Sequence, residues 1–280
     1  METLIVKSGL TEIRLLDSTR IIKLFHDTIP DERVNREVNN TLRAKSLGVR
    51  VPDIYDVITR GRRRGIVMEY IKGETITDAL TQNPLKVKTY AKQLARTQFE
   101  INSIQASGFT SQRQFMTRAI HQSQARLGNW AQLALTQLDA LPDAQQLCHN
   151  DLHQENIIFS HDGPVVLDWA EATVGNPLAD IAHALLVQEH PVPAPIFKAS
   201  KTYHRLHNRY RRYFAKLYAR EYQSLANATQ ADIQSWLLPV AATRIMTKRD
   251  LEEIDWTEMY IKTTFPVPDT DAAPIKLAKS

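Results

Sequence analysis

The sequence predicts an α+β fold of two lobes, a small β-rich lobe over residues 1–70 and a larger, mainly helical lobe over residues 71–280. Short runs rich in isoleucine, valine and leucine, separated by turn residues, dominate the first lobe. After Gly73 the apolar residues recur at spacings of three and four, which is the period of amphipathic helices. Within the second lobe, only residues 147–169 read as loop and strand.

The composition is that of an ordinary globular protein, with 43% hydrophobic and 24% charged residues among 280. No apolar run approaches the roughly 18–20 residues of a membrane span, and the first residues do not read as a secretory signal. The one cysteine, Cys148, cannot form an internal disulfide, which fits a reducing compartment. We therefore expect a cytoplasmic protein with no membrane contact, and the sequence does not predict its oligomeric state.

Two basic segments bear on nucleic-acid binding. Residues 60–64, RGRRR, lie between apolar runs and predict a solvated hairpin turn. Residues 201–220 predict a helix with arginines outside one apolar stripe, which consists of Tyr203, Leu206, Tyr210, Phe214, Leu217 and Tyr218. Because the formal charge is only +4, we expect no nucleic-acid partner.

Each lobe has its own predicted elements. The strands of the first lobe are residues 3–6, 12–16, 20–25, 54–58 and 65–70. One helix interrupts them, beginning near Asp31, with an apolar stripe at Val34, Val38 and Leu42 and its end at Gly48. The helices of the second lobe are residues 84–107, 111–141, 177–189, 200–222, 230–246 and 248–264.

Residues 149–159 read HNDLHQENIIF and concentrate polar side chains ahead of an apolar run. His149 and His153 are four apart, so on a helix they would share a face and could bind zinc. However, no helical apolar period follows them, and no second His/Cys group has the spacing of a zinc site. A directly bound zinc ion is therefore the weaker alternative.

Residues 157–168 predict a β-hairpin, because an Asp-Gly pair separates two apolar runs. A turn centred on that pair places Ile157 opposite Asp168 and brings Asn156 beside Asp168 at the open end. Amide and carboxylate oxygens suit a hard cation such as Mg²⁺. Asp151, on the loop that leads to this end, is placed to act on a hydroxyl near that metal.

The order of these groups matches phosphoryl-transfer enzymes: an aspartate for the acceptor proton, then an asparagine and a second aspartate for metal. Residues 149–156 fit the pattern H-x-D-x-x-x-x-N, and Asp168 follows at hairpin distance. The segment LCHNDLHQENIIFSHDGPVVLDWAEATVGNPLADIA resembles the aminoglycoside phosphotransferase family, a branch of the protein-kinase-like superfamily that includes other small-molecule kinases. The resemblance implies a two-lobed protein-kinase-like fold with the active site between the lobes.

The resemblance also implies residue roles. Asp151 would be the catalytic base and His149 would brace its loop, while Asn156 and Asp168 would hold Mg²⁺. Asp180 would be structural. Asn150 departs from the family, in which many members carry glycine there, and this puts the local backbone geometry in question.

In the first lobe, a kinase requires a lysine for the ATP phosphates and a helical glutamate to hold it. Lys23 on the third strand and Glu37 on the following helix are in the right order, although either residue could be an ordinary surface residue. If the helix were shifted by one residue, Arg36 would take the place of Glu37 beside the strand. The segment around Ser8 and Gly9 has no triple-glycine motif. Only the likeness to other kinases predicts that its backbone N–H groups contact the phosphates.

The family likeness places a hinge at about residues 68–73. Met68 would border the adenine, and backbone groups of Glu69 and Ile71 would bond its edge. We therefore expect ATP and Mg²⁺ as cofactors, with GTP as the alternative nucleotide.

The predicted activity is transfer of the γ-phosphoryl group to a hydroxyl of a small molecule, either an endogenous metabolite or an aminoglycoside-like antibiotic. The alternatives are a nucleotide-binding pseudokinase and a kinase for protein or lipid-linked sugar, although no Ala-Pro-Glu segment follows Asp168. A polycationic acceptor would need carboxylates, for which the candidates are Glu171, Asp250, Glu252, Glu253, Asp255 and Glu258.

Overall fold

An antiparallel five-stranded sheet forms the N-terminal part of the protein, in the computed structural model that describes residues 2–7, 10–190, 201–247 and 251–266. Its strands are β1 (Thr3–Lys7), β2 (Thr11–Leu15), β3 (Arg20–Phe25), β4 (Ile54–Arg60) and β5 (Arg63–Glu69), in the order β1–β2–β3–β5–β4. All five predicted strands are present. The central strands β3 and β5 bury their branched apolar side chains on both faces, as expected away from a sheet edge.

Helix α1 (Asp31–Ser46) connects β3 to β4, and Gly48 follows its end with a positive φ of 86°. The predicted apolar stripe is wrong at Leu42, which is 47% exposed. The buried face instead includes Val34 together with three polar residues, Glu37, Asn40 and Thr41. Those polar groups find partners elsewhere in the molecule, and an apolar period cannot reveal such a face.

Helices dominate the rest of the chain. They are α2 (Ile76–Gln82), α3 (Val87–Asn102), α4 (Gln112–Leu127), α5 (Asn129–Ala140), α6 (Pro177–Glu189), α7 (Lys201–Ala226), α8 (Gln230–Gln234), α9 (Leu237–Thr247) and α10 (Leu251–Thr264). The predicted helix over 111–141 is two helices, because Gly128 takes a φ of 54° between α4 and α5. The predicted helix over 230–246 likewise divides into α8 and α9.

Two small sheets hold the loops of this region. Strands β6 (Gly73–Thr75), β9 (Ile157–Ser160) and β10 (Gly163–Val166) form one sheet in the order β10–β9–β6. Strands β7 (Thr110–Ser111), β8 (Gln146–Cys148) and β11 (Thr173–Gly175) form the other in the order β7–β11–β8. Strands β8 and β9 flank the polar cluster at 149–156, and both of its ends are therefore anchored.

The helical part has one continuous core that reaches from α2 to α10. Phe214 and Tyr218 of the predicted α7 stripe are buried in it, whereas Leu206 is 65% exposed. The side chain of Tyr203 lies outside the described residues. None of the helices in the described ranges combines the length and the apolar character needed to cross a bilayer.

Candidate active site

Three charged side chains from distant parts of the chain meet between the sheet and the helical part. Lys23 on β3 donates a hydrogen bond of 2.7 Å to Oε1 of Glu37 on α1. The same ammonium lies 3.2 Å from Oδ2 of Asp168, which follows β10. Lys23 is only 9% exposed and Glu37 only 3%, so this pair is shielded from solvent. The partner of Lys23 is Glu37, while Arg36 contacts the segment beyond Asp168.

The site has two carboxylates for one ammonium, and this imbalance sets its electrostatics. Burial alone would lower the pKa of Lys23, but the carboxylates of Asp168 and Glu37 raise that pKa above its ordinary value, so Lys23 is a cation. Burial raises the pKa of Glu37 to about 7, with a further contribution from the negative charge of Asp168. Burial also disfavours the charged form of Asp168, yet the Lys23 ammonium holds the pKa of Asp168 below its usual value.

The register of the β9–β10 hairpin differs from the prediction. Ile157 is paired with Val166, not with Asp168, because the two-residue turn is His161-Asp162 and Gly163 is the first residue of β10. Asp168 therefore lies beyond the ladder, in a left-handed backbone conformation with φ 58°. This departure from the strand lets its carboxylate reach Lys23 instead of continuing along the sheet.

His149 is a fully buried link between the polar loop and the end of β10. Its Nε2 is 2.9 Å from the carbonyl oxygen of Leu167, and its Nδ1 accepts the N–H of Asp151 at 3.2 Å. Because a carbonyl only accepts, the partners assign the proton to Nε2. Both ring nitrogens are thus engaged in bracing the loop. In the described part of the chain, no group of three or more His, Cys, Asp or Glu side chains is arranged to hold a metal ion.

Asp180, on α6, fixes the start of the same loop. Its Oδ2 accepts the N–H of His149 and the side-chain amide of Asn102, both at 2.9 Å, and its Oδ1 accepts the N–H of Asn150 at 2.7 Å. Asp180 is almost completely buried. Three N–H donors from the loop and from α3 hold this carboxylate in place, so Asp180 anchors the loop to α6.

Asn150 adopts the left-handed conformation, with φ 59°, that a glycine would take without strain. Its side-chain amide donates to the carbonyl oxygen of Glu171 at 2.9 Å and to Oγ1 of Thr173 at 2.7 Å. Asparagine is among the residues that tolerate this region best. The unusual side chain therefore preserves the loop geometry and ties the loop to the segment after Asp168.

Asp151 and Asn156 lie on one loop and are coupled through it. The amide nitrogen of Asn156 donates to the carbonyl oxygen of Asp151 at 2.9 Å and lies 3.1 Å from Nε2 of His153. With its nitrogen turned toward the loop, Asn156 has its amide oxygen left for another ligand. The Asp151 carboxylate is 4.0 Å from Nε2 of His153 and is partly exposed. The oxygens of Asn156 and Asp168 are of the type that Mg²⁺ prefers, and both residues flank the short β9–β10 hairpin.

Helix α1 also holds the segment that follows Asp168. The buried amide of Asn40 donates to the carbonyl oxygen of Trp169 at 3.0 Å, and Nε of Arg36 donates to that of Ala170 at 2.8 Å. Arg33 pairs with Glu171 at 2.8 Å. The sequence analysis missed these contacts, and the only available signal was a helix face with more polar than apolar residues.

The structure describes the predicted adenine border at residues 68–71, but not residues 8 and 9 of the predicted phosphate loop. Met68 is buried at the end of β5, and the N–H of Glu69 donates to the carbonyl oxygen of Asp53 at 2.8 Å. The backbone N–H of Glu69 is therefore already engaged within the protein. Ile71 is partly buried in the link to β6. Ser8 and Gly9 lie outside the described residues.

An open pocket lies beside the polar loop, on the side of Asn150 and Glu171. Helices α4, α6 and α9 supply most of its wall. The lining residues are Gln112, Phe115, Met116, Asn150, Glu171, Ala179, His183, Val240, Thr243, Arg244 and Thr247.

A β-sheet lobe whose buried lysine meets a helical glutamate and an aspartate from the other lobe is the architecture of the two-lobed, kinase-like phosphotransferases. The chain belongs to the phosphotransferase enzyme family, whose family model matches residues 8–197. It is therefore an enzyme that phosphorylates a hydroxyl group. No curated protein matches the sequence.

Solved structures of aminoglycoside phosphotransferases share the fold at low identity. A thermostable mutant of APH(4)-Ia, in a ternary complex with AMP-PNP and hygromycin B, superposes with a TM-score of 0.66 at 13% identity, over 94% of this chain and 92% of that one. Aminoglycoside-3'-phosphotransferase of type VIII superposes with a TM-score of 0.61 at 14% identity, over 86% of this chain and 93% of that one. The streptomycin–ATP complex of APH(2")-IIa superposes with a TM-score of 0.54 at 14% identity, over 93% of this chain and 90% of that one. The predicted α+β, two-lobed kinase-like fold is thus confirmed.

Proposed function

We propose that this phosphotransferase uses ATP and Mg²⁺ to phosphorylate a hydroxyl group of a small molecule. The observation that carries the proposal is the contact of one buried ammonium, Lys23, with Glu37 and Asp168 together. Such a cation has little reason to be held between two lobes for stability alone, since a buried ion pair contributes little net stability. Positioned there, it is available to the phosphates of a nucleotide in the cleft.

On this proposal, residues 1–70 and 71–280 form the two lobes, and the nucleotide lies between them. The adenine contacts Met68 and the backbone of Glu69 and Ile71, with the hinge at 68–73. Ser8 and Gly9, which lie outside the described residues, would supply backbone N–H groups to the phosphates. GTP would fit the same backbone contacts in part, so nucleotide preference is a matter for measurement. The proposal includes a cytoplasmic location, where nucleotide triphosphates are available.

Asn156 and Asp168 would hold Mg²⁺ through their side-chain oxygens, which fit a hard cation. Bound there, the metal would neutralise charge on the phosphates. Asp151 accepts the proton of the acceptor hydroxyl and orients its oxygen for attack. His149 is a positioning residue, because its ring joins the N–H of Asp151 to the carbonyl oxygen of Leu167. This arrangement keeps the base in a fixed position relative to the segment after β10 that carries Asp168.

The test combines nucleotide binding with turnover. Thermal unfolding and calorimetric titration with ATP should show stabilisation that requires Mg²⁺ and is absent with EDTA. ATP consumption should then rise with one or more members of a panel of sugars, amino alcohols, nucleosides and hydroxy acids. Failure of ATP and of GTP to bind in the presence of Mg²⁺ would refute the proposal. Binding without any turnover would instead favour a pseudokinase.

A further inference from the structure

The pocket beside Asn150 is well placed for the acceptor, because that residue immediately precedes Asp151. An acceptor bound there meets apolar surface first. Phe115 and Met116 of α4, Ala179 of α6 and Val240 of α9 all contribute to the wall. A ligand that fills it therefore needs an apolar portion as well as its hydroxyl.

The carboxylates at this pocket are already neutralised by arginines. Glu171 lies 2.8 Å from Arg33 and 3.7 Å from Arg36. Glu253 of α10 is bonded to Arg244, which lines the pocket. A polycationic aminoglycoside needs unpaired carboxylates, and it would have to compete with these arginines for both groups.

Two other carboxylates of α10 that the sequence suggested for a polycation are engaged as well. Asp255 and Glu258 both pair with Arg126 of α4, at 2.7 and 3.0 Å. Asp250 lies outside the described residues. The acidic residues of this helix thus serve largely to hold it against its neighbours.

Arg244 is the principal polar feature of the wall. It is only 5% exposed, and its Nη1 lies 2.6 Å from Nε2 of His183, which also lines the pocket. Because a guanidinium only donates, His183 accepts at Nε2 and carries its own proton at Nδ1. The guanidinium has five N–H groups, and the bonds to His183 and Glu253 occupy two of them. The guanidinium as a whole has the planar fork that suits a carboxylate.

We infer that the acceptor is a hydroxylated carboxylate with an apolar body, whose anionic group binds Arg244, and not a polycationic aminoglycoside. This inference rests on the proposed function, since it assigns the pocket to the acceptor. Within it, Arg244 is a specificity-determining residue. Glu253 occupies the guanidinium until the ligand carboxylate arrives and competes for it.

The test uses compounds of similar size that differ in charge: 3-phenyllactate, its neutral amide 3-phenyllactamide, and the cation phenylalaninol, with hygromycin B as the polycation. Each is titrated calorimetrically into wild-type protein that holds Mg²⁺ and a non-hydrolysable ATP analogue. The carboxylate should bind at least about tenfold more tightly than the amide, which is the usual advantage of a hydrogen bond to a charged group. The two cations should bind more weakly still.

Two variants connect this preference to Arg244. Arg244→Gln combined with Glu253→Gln keeps a neutral hydrogen-bonding pair and avoids an unpaired buried charge, and it should abolish the advantage of the carboxylate over the amide. Glu253→Gln alone removes the internal competitor, so 3-phenyllactate should bind more tightly than to wild type. A merely structural Arg244 would produce neither change.

The outcomes separate the two hypotheses. Absence of Mg²⁺-dependent nucleotide binding in wild type would contradict the proposed function itself. If the nucleotide binds, the acceptor inference is overturned when 3-phenyllactate binds no more tightly than its amide, or does not bind at all. Preferential binding of hygromycin B would overturn it as well. Nucleotide binding by the double variant reports that it is folded.

Discussion

The ammonium of Lys23 lies 3.2 Å from Oδ2 of Asp168, across the boundary between the sheet and the helical part. This contact joins the residue proposed to face the phosphates to the residue proposed to hold Mg²⁺. Glu37 completes the arrangement from α1. Helix α1 thus contributes one of the three charged groups of the proposed nucleotide site.

Lys23→Ala should weaken Mg·ATP binding and lower ATP turnover by about 10²-fold or more, because no cation then faces the phosphates. It should also destabilise the fold, since Glu37 remains buried without its partner. The double variant Lys23→Ala/Glu37→Gln removes that buried charge and serves as the control. It should recover thermal stability without recovering ATP affinity. Wild-type kcat/KM in Lys23→Ala would contradict the assignment.

Asp151→Asn and Asp168→Asn should separate chemistry from binding. The first should leave Mg·ATP affinity nearly unchanged while turnover falls by roughly 10²–10⁴-fold, the usual contribution of a general base. The second should lose both turnover and the Mg²⁺-dependent part of ATP affinity. Calorimetric titrations with and without Mg²⁺, paired with turnover measurements, give the comparison. Equal loss of ATP affinity in the two variants would argue against distinct roles.

Asp180→Asn should lower the free energy of unfolding by about 2–4 kcal/mol, because an amide offers one acceptor oxygen to three buried donors. Urea unfolding measures this change. Asp162→Asn is a matched control, since Asp162 is exposed in the hairpin turn and pairs with Arg50 at the surface. Its effect should be much smaller, because a surface ion pair contributes little to stability. Similar losses in the two variants would show that Asp180 is not an anchor.

Substitutions at Asn150 should show the cost of the left-handed backbone. Asn150→Ala and Asn150→Gly both remove the bonds to Glu171 and Thr173. Glycine accepts the φ of 59° without strain. The free energy of unfolding should therefore be about 1 kcal/mol higher for the glycine variant than for the alanine variant. Chemical denaturation of both proteins tests the order. The opposite order would mean that the loop changes conformation when the side chain is removed.

Cys148 should react with thiol reagents only when the protein unfolds. It is completely buried, and burial, followed by the charge of Asp180, raises the pKa of its thiol well above the ordinary value. Under native conditions, modification by a chromogenic disulfide should be far slower than in denaturant, where the one thiol reacts fully. Rapid native labelling at neutral pH would show that β8 opens readily.

The local patterns of the sequence predicted most of the elements, and they placed the polar loop directly before a strand. Strand runs, the helical period and the spacing of His149, Asp151 and Asn156 are properties of neighbouring residues, and chain order carries them directly. The same patterns failed where distant segments choose between local options. Gly128 breaks a helix whose apolar period continues across it, and the hairpin closes two residues away from the predicted register.

The tertiary structure alone decided which charges meet. The spacing of residues in the sequence does not predict that Lys23 contacts Asp168 or that Glu171 pairs with Arg33. It also does not predict that Asn40 binds the segment after Asp168. The sequence offers Glu171 as a carboxylate for a polycationic acceptor, but in the fold Glu171 is paired with Arg33. Arg244 lines the proposed acceptor pocket only because α9 packs beside α6. The physical reason is that a residue type fixes a charge, whereas its partner and its exposure are set by packing between elements far apart in the chain.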